Sequence, residues 1–122
     1  PEIEVLVSRF AQNAGYVPDL TFTGQLSEVP PELEHDVVAV VREGLSNIVR
    51  HSQASDAQVR VSTVDGLVVT IEDNGVGIGP EASLRGLANL QNRAAAHDGA
   101  FSVSSRIPSG TLLRWRVPLF TE

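Results

Sequence analysis

The sequence predicts an α+β fold: a two-layer sandwich whose mixed, mostly antiparallel sheet carries helices on one face. Two pairs of alternating apolar stretches around short turns point to hairpins: Val59, Val61 and Thr63 with Leu67, Val69 and Ile71, then residues 100–105 with 111–119. Other stretches space their apolar residues as helices do. Strand, helix and strand do not alternate regularly, which argues against a parallel α/β sheet.

Taken in order, residues Glu2–Ala14 set Ile3, Leu6, Val7 and Phe10 at helical spacing before Asn13, Gly15 and Pro18 stop them. Residues 1–18 read as a helix and linker continuing from an upstream domain, and 19–122 as one globular domain. Pro1 as first residue suggests excision from a longer chain. Residues 20–23 read as a brief strand, and Pro30-Pro31 opens a helix expected to reach His51. Asp65-Gly66 turns the first hairpin. Helical spacing returns at Leu87, Leu90, Ala94 and Ala95 and ends near Gly99, and Pro108-Ser109-Gly110 joins the last strands.

Composition narrows the function classes. A chain of 122 residues supports one core, and 42% hydrophobic with 20% charged residues is ordinary for a packed domain. Without cysteine there is no disulfide framework or thiolate metal site. No apolar run is long enough to span a bilayer and no signal peptide leads the chain, so a soluble, cytoplasmic location with no membrane contact is expected. A net charge of -6 argues against nucleic-acid binding. All 9 basic residues are arginine, so a phosphate-cradling P-loop lysine does not exist here.

The stretch around residues 37–51 is the most informative. At about 100° per residue, Asn47, Arg50 and His51 fall roughly 20° to 80° from Glu43, whereas Val37, Val38, Val41, Leu45, Ile48 and Val49 fall on the opposite side. A solvated polar face is the ordinary explanation. Against it, Asn47 is a poor helix former placed mid-helix between a glutamate and an arginine. Its amide oxygen is also a hard ligand of the kind Mg²⁺ accepts when it bridges to substrate phosphates.

Asp73-Asn74-Gly75-Val76-Gly77-Ile78 follows directly on a strand. Asn-Gly alone means a turn. Asp73, however, emerges at the strand's end as an acceptor suited to the exocyclic amine of adenine, and Gly75 and Gly77 permit close approach. Arg85-Gly86-Leu87 opens a helix whose free N–H groups suit an anion, and Gly110-Thr111 is a turn with a hydroxyl. Each of the last two needs no ligand to explain it.

In this order, the segment Arg42-Glu43-Gly44-Leu45-Ser46-Asn47-Ile48-Val49-Arg50-His51, the Asp73 to Ile78 motif, Arg85-Gly86-Leu87 and Gly110-Thr111 together resemble the superfamily of gyrase, Hsp90, histidine kinases and MutL. The three longer motifs are similar to its N, G1 and G2 boxes, and the match covers nearly the whole chain. The short spacer from Gly79 to Arg85, the R-E-x-x-x-N-x-x-R-H form and Asn89-Leu90-Gln91-Asn92-Arg93-Ala94 resemble the histidine kinases of the nitrate-sensor and desaturase-regulator type. An all-arginine basic set points to a GC-rich, actinobacterial source, with oxygen or redox sensors as one candidate group.

The resemblance implies a Bergerat ATP-binding fold with ATP and Mg²⁺ as ligands. Asn47 ligates the metal, Asp73 binds the adenine amine, and Gly75, Gly77 and Ile78 shape the pocket. Thr111 supports the adenine end, Arg50 touches phosphate, His51 lies beside the base, and Arg85, Gly86 and Leu87 form the G2 contact. Glu43 handles a metal-bound water or a proton. Leu84 departs from the family where a glycine is usual, in the box tied to the lid and the γ-phosphate contact, and Asp98-Gly99 replaces a usual Gly-Gly pair. Residues 1–18 then belong to the link with a dimerisation domain. The expected activity is phosphorylation of a histidine on that domain, in a homodimeric kinase serving a response regulator. None of His35, His51 and His97 heads a dimerising helix, so the chain should not phosphorylate itself. An anti-sigma-factor-type serine kinase and a non-catalytic interaction module with a degenerate pocket remain the alternatives.

Overall fold

A computed structural model describes residues 2–25, 29–48, 54–75, 84–105 and 109–119. The described elements run in the order α1 (Glu2–Ala14), β1 (Asp19–Thr23), α2 (Pro31–Asn47), β2 (Ala57–Ser62), β3 (Leu67–Asp73), α3 (Leu84–Ala95), β4 (Ala100–Ser105) and β5 (Thr111–Val117).

Local chemistry accounts for each helix. In α1, Val7 and Phe10 are buried, with Ile3 and Leu6 packed beside them, so its apolar spacing is a core stripe. Pro30 precedes α2 in an extended conformation and Pro31 begins it, where a missing N–H costs little. Glu32 and Glu34 lie in its first turn, at the positive end of the helix dipole. The expected continuation to His51 lies outside the described residues. α3 ends in a left-handed cap: Gly99 N–H donates to the Ala94 carbonyl at 2.8 Å and Asp98 N–H to the Ala95 carbonyl at 3.2 Å.

The sheet order is β1-β2-β3-β5-β4. β2–β3, β3–β5 and β4–β5 pair antiparallel, while β1 pairs parallel with β2. α2 lies between β1 and β2 in the chain, and a crossover of that length permits parallel pairing where a two-residue turn does not. β5 stops at Val117, short of the expected Leu119, because Pro118 has no N–H to offer the ladder.

Alternate residues of β2, β3 and β5 are buried, and those between them are half-buried or exposed. Pleated strands send alternate side chains to opposite faces, so one sheet face forms the core, as expected, and the helices pack on it. Val7 and Phe10 share that core with the sheet residues, so α1 packs against the same core as the other described elements. Trp115 is fully buried and its Nε1–H donates to the Leu90 carbonyl at 3.1 Å, fastening β5 to the middle of α3.

Candidate nucleotide-binding site

Asn47 departs most from its surroundings. Only 4% of it is exposed, and neither its Oδ1 nor its Nδ2 has a hydrogen-bond partner among the described residues. The sequence sets it opposite the core, on a face open to solvent, and for Asn47 that separation of faces does not hold. At about 100° per residue, Asp36, Val40, Glu43 and Asn47 lie within roughly 60° of one another, and this stripe faces inward, towards α3 and the ends of the strands. A buried amide with both ends unpaired is costly without a ligand.

Across from it stands Asp73, the last residue of β3 and 3% exposed. Its Oδ1 accepts the Gly75 N–H at 2.8 Å, which orients the carboxylate. Sheet register places it opposite Thr111, the first residue of β5. Thr111 Oγ1 is also buried without a partner among the described residues. Gly110 makes this approach possible: at φ 109° it adopts a backbone that disfavours side chains, and a Cβ there would strike the Asp73 carbonyl.

Gly44, Asn47, Ile48, Ile71, Asp73, Thr111 and Leu113 line one narrow cleft. The structure therefore brings together Asn47, Asp73 and Thr111, three residues the sequence singled out on separate elements. Gly44 is an addition: a Cβ at this position would overlap the Ile71 side chain, so glycine lets α2 lie close on β3. A glycine inside a helix costs about 1 kcal/mol, and that cost is the signal which could have marked it. A roomier groove lies between α1, β1 and the start of α2. Its apolar lining and its two glutamates, Glu4 and Glu34, do not suit a triphosphate.

Glu43 is half-buried one turn before Asn47, and its carboxylate lies against Gly86 in the first turn of α3, where a Cβ would collide with it. An acid at a helix N-terminus is favoured by the dipole. Leu87 packs partly buried against the core. Arg50, His51, Gly77 and Ile78 lie outside the described residues, as does the side chain of Arg85. Asn74 is structural: its Oδ1 accepts the N–H groups of Ser55 and Asp56, both at 3.0 Å, and its Nδ2 donates to Ser55 Oγ at 3.1 Å. Those bonds brace the chain entering β2 against the exit of β3, beside Asp73.

Tyr16 went unmarked in the sequence. Burial first, then the carboxylates of Asp73 and Asp56, raises its hydroxyl above the ordinary value of 10.0. Its neighbours come from other elements, so no local pattern announces it.

The donor set suits Mg²⁺. Asn47 Oδ1 is a hard, neutral, unpartnered oxygen, and Mg²⁺ takes few protein ligands when phosphates and waters complete its shell.

A buried acid at a strand end, a threonine beside it and a helical asparagine across the cleft form a polar site that fits the ATP-binding class expected from the sequence. Comparison with known proteins gives the same class. Residues 32–121 match the histidine kinase-, DNA gyrase B- and HSP90-like ATPase family, and the chain belongs to that family. It is 32% identical over 88% of its length to the sensor histidine kinase LnrJ of Bacillus subtilis, of which it covers 27%. It is 31% identical over 91% of its length to the nitrate/nitrite sensor protein NarX of Escherichia coli, of which it covers 19%. Among solved structures, the blue-light activated histidine kinase of Erythrobacter litoralis superposes with a TM-score of 0.74 over 96% of this chain and 40% of that one, at 24% identity, a likeness of fold. The chain thus spans less than a third of the curated relatives it matches.

Proposed function

We propose that this chain binds ATP with Mg²⁺ and supplies the γ-phosphate to a histidine on a separate dimerisation domain, as the catalytic part of a two-component sensor kinase. One observation carries the reading. Asp73, Thr111 and Asn47 open on a single cleft, where the Thr111 hydroxyl and the Asn47 amide are buried and unpartnered among the described residues. Buried polar groups normally find partners, so two orphans beside a buried carboxylate leave room for a polar ligand to supply them.

Asp73 accepts the exocyclic amine of adenine, and a purine carrying a carbonyl there leaves the acid unpaired. Its Gly75 contact holds the carboxylate in orientation before the base arrives. Asn47 Oδ1 holds Mg²⁺, which when bound neutralises phosphate charge and aligns the γ-phosphoryl group. Glu43 handles a proton near that group. Arg50, His51, Gly77, Ile78, Arg85, Gly86 and Leu87 keep the roles their motifs imply at the phosphates, the base and the pocket wall. Phosphoryl transfer is mainly positioning and electrostatic stabilisation, which these groups can provide without a nucleophile of their own.

The nucleophile comes from elsewhere. His97 is engaged with Asp36 at 2.9 Å, and His35 is exposed on α2, away from the cleft. The partners are the protein's own dimerisation domain, to which residues 1–18 lead, and a response regulator, in a homodimer working in the cytoplasm. Among the described residues no helix is long and apolar enough to cross a membrane. The relatives named are a sensor histidine kinase and a nitrate/nitrite sensor protein, and no observation favours the serine-kinase or the non-catalytic alternative.

The test is phosphotransfer. Incubated alone with γ-labelled ATP and Mg²⁺, the chain should acquire no stable label; with its own dimerisation domain added, an acid-labile label should appear on that domain. Strong labelling of the chain alone contradicts the proposal.

A further inference from the structure

Asp36 is 7% exposed, and no part of the nucleotide reading uses it. Two side chains of α3 and its C-terminal turn converge on it from the other helix. Arg93 Nη1 donates to its Oδ1 at 2.6 Å, and His97 Nε2 lies 2.9 Å from its Oδ2. Arg93, in the last turn of α3, and His97, in the turn that follows it, reach the same carboxylate. A carboxylate whose two oxygens meet two partners from one neighbouring helix fixes that helix in both translation and rotation, more than a single ion pair does.

The cluster belongs to a longer seam. On α2 the inward stripe reads Asp36, Val40, Glu43, Asn47. On α3, Gly86, Leu90 and Arg93 likewise fall within roughly 60° of one another, and His97 follows in the turn after Ala95. Contacts at both ends show how the stripes meet: Asp36 meets Arg93 and His97, and Glu43 meets Gly86. The helices therefore run antiparallel, with Val40 and Leu90, both fully buried, at the middle positions. Apolar residues at mid-seam tolerate sliding, since dispersion contacts are not directional. The Asp36 cluster is a directional link between the two helices, and the Trp115 bond to the Leu90 carbonyl is another, tying α3 to the sheet.

We propose that the Asp36, Arg93 and His97 cluster sets the register of the α2–α3 seam and so holds Gly86 against Glu43 beside the cleft, which makes Asp36 a positioning residue for nucleotide binding. This rests on the cleft being the nucleotide site. A shift of α3 along its axis moves Gly86 off Glu43 and brings a residue with a Cβ into the space that only glycine leaves open. The effect then appears at the site, although Asp36 does not touch it.

The seam contains its own reporter. Trp115 is the one tryptophan in the chain, and its indole N–H is bonded to the Leu90 carbonyl. Its emission reads the seating of α3 directly. The experiment compares the wild-type chain, Asp36→Asn and Val61→Ala, the last a core substitution on β2, away from α3. Thermal midpoint, Trp115 emission and ATP·Mg²⁺ affinity are measured at a temperature where all three are folded. Asp36→Asn should weaken affinity about tenfold, the scale of a lost charged hydrogen bond, and shift the emission. Val61→Ala should lower the midpoint alone. Should Asp36→Asn fail to fold, His97→Gln, which keeps the Asp36–Arg93 pair, carries the same readouts with a loss of about threefold. Affinity and emission unchanged in the Asp36 or His97 variant, or weakened equally by Val61→Ala, overturn the proposal. If the wild-type chain binds no ATP, the nucleotide reading fails instead, and the emission of Trp115 alone decides whether the cluster seats α3.

Discussion

Asn47 and Tyr16 each bury a polar group that finds no partner among the described residues, and they call for different tests. Removing the Asn47 amide removes its desolvation cost along with any ligand contact. Asn47→Ala should therefore leave folding stability within about 1 kcal/mol while abolishing the Mg²⁺-dependent part of ATP affinity, measured by thermal unfolding and by titration with and without the metal. Tyr16 is a question of pH. Because its hydroxyl holds its proton more tightly folded than unfolded, its contribution to stability is complete below the unfolded pKa of about 10 and is lost as pH rises through the higher folded value. Tyr16→Phe should match wild type at neutral pH and lose less stability above pH 10; identical alkaline unfolding curves would count against the assignment. Asp73 and Asn47 were legible in the sequence because each is misplaced locally, an acid closing an apolar strand and an asparagine inside a helix. Tyr16 and Asp36 were not, since the groups that give them meaning are brought near only by folding.

Among the elements, the end of α3 carries a visible flaw. Asp98 sits at φ 59°, in the left-handed region where glycine is at ease and a Cβ is not. Asp98→Gly should raise stability by about 1 kcal/mol in thermal unfolding; an unchanged or lowered midpoint would mean that the Asp98 side chain compensates. Gly99 next to it has no such latitude, because a Cβ there would collide with the Arg116 carbonyl. The hairpins were readable because alternation and a turn lie in one short stretch. The parallel pairing of β1 with β2 and the docking of α2 on α3 were not, since both are settled by which stripes meet across the core, and a stripe such as Asp36, Glu43 and Asn47 looks solvated until its partner is known.

For the whole molecule, one core joins all the described helices and the sheet, and the cleft lies where α2 meets the ends of β3 and β5. On the proposed reading, this architecture makes the chain a binder and positioner of ATP, with the chemistry completed by another domain. Calorimetric titration of ATP·Mg²⁺ into the wild-type chain and into Asp73→Ala tests that claim most directly, with GTP·Mg²⁺ as the control. Saturable heat with ATP, lost in Asp73→Ala and absent with GTP, is the expected result. No binding by the wild-type chain, or equal binding by the variant, would contradict it.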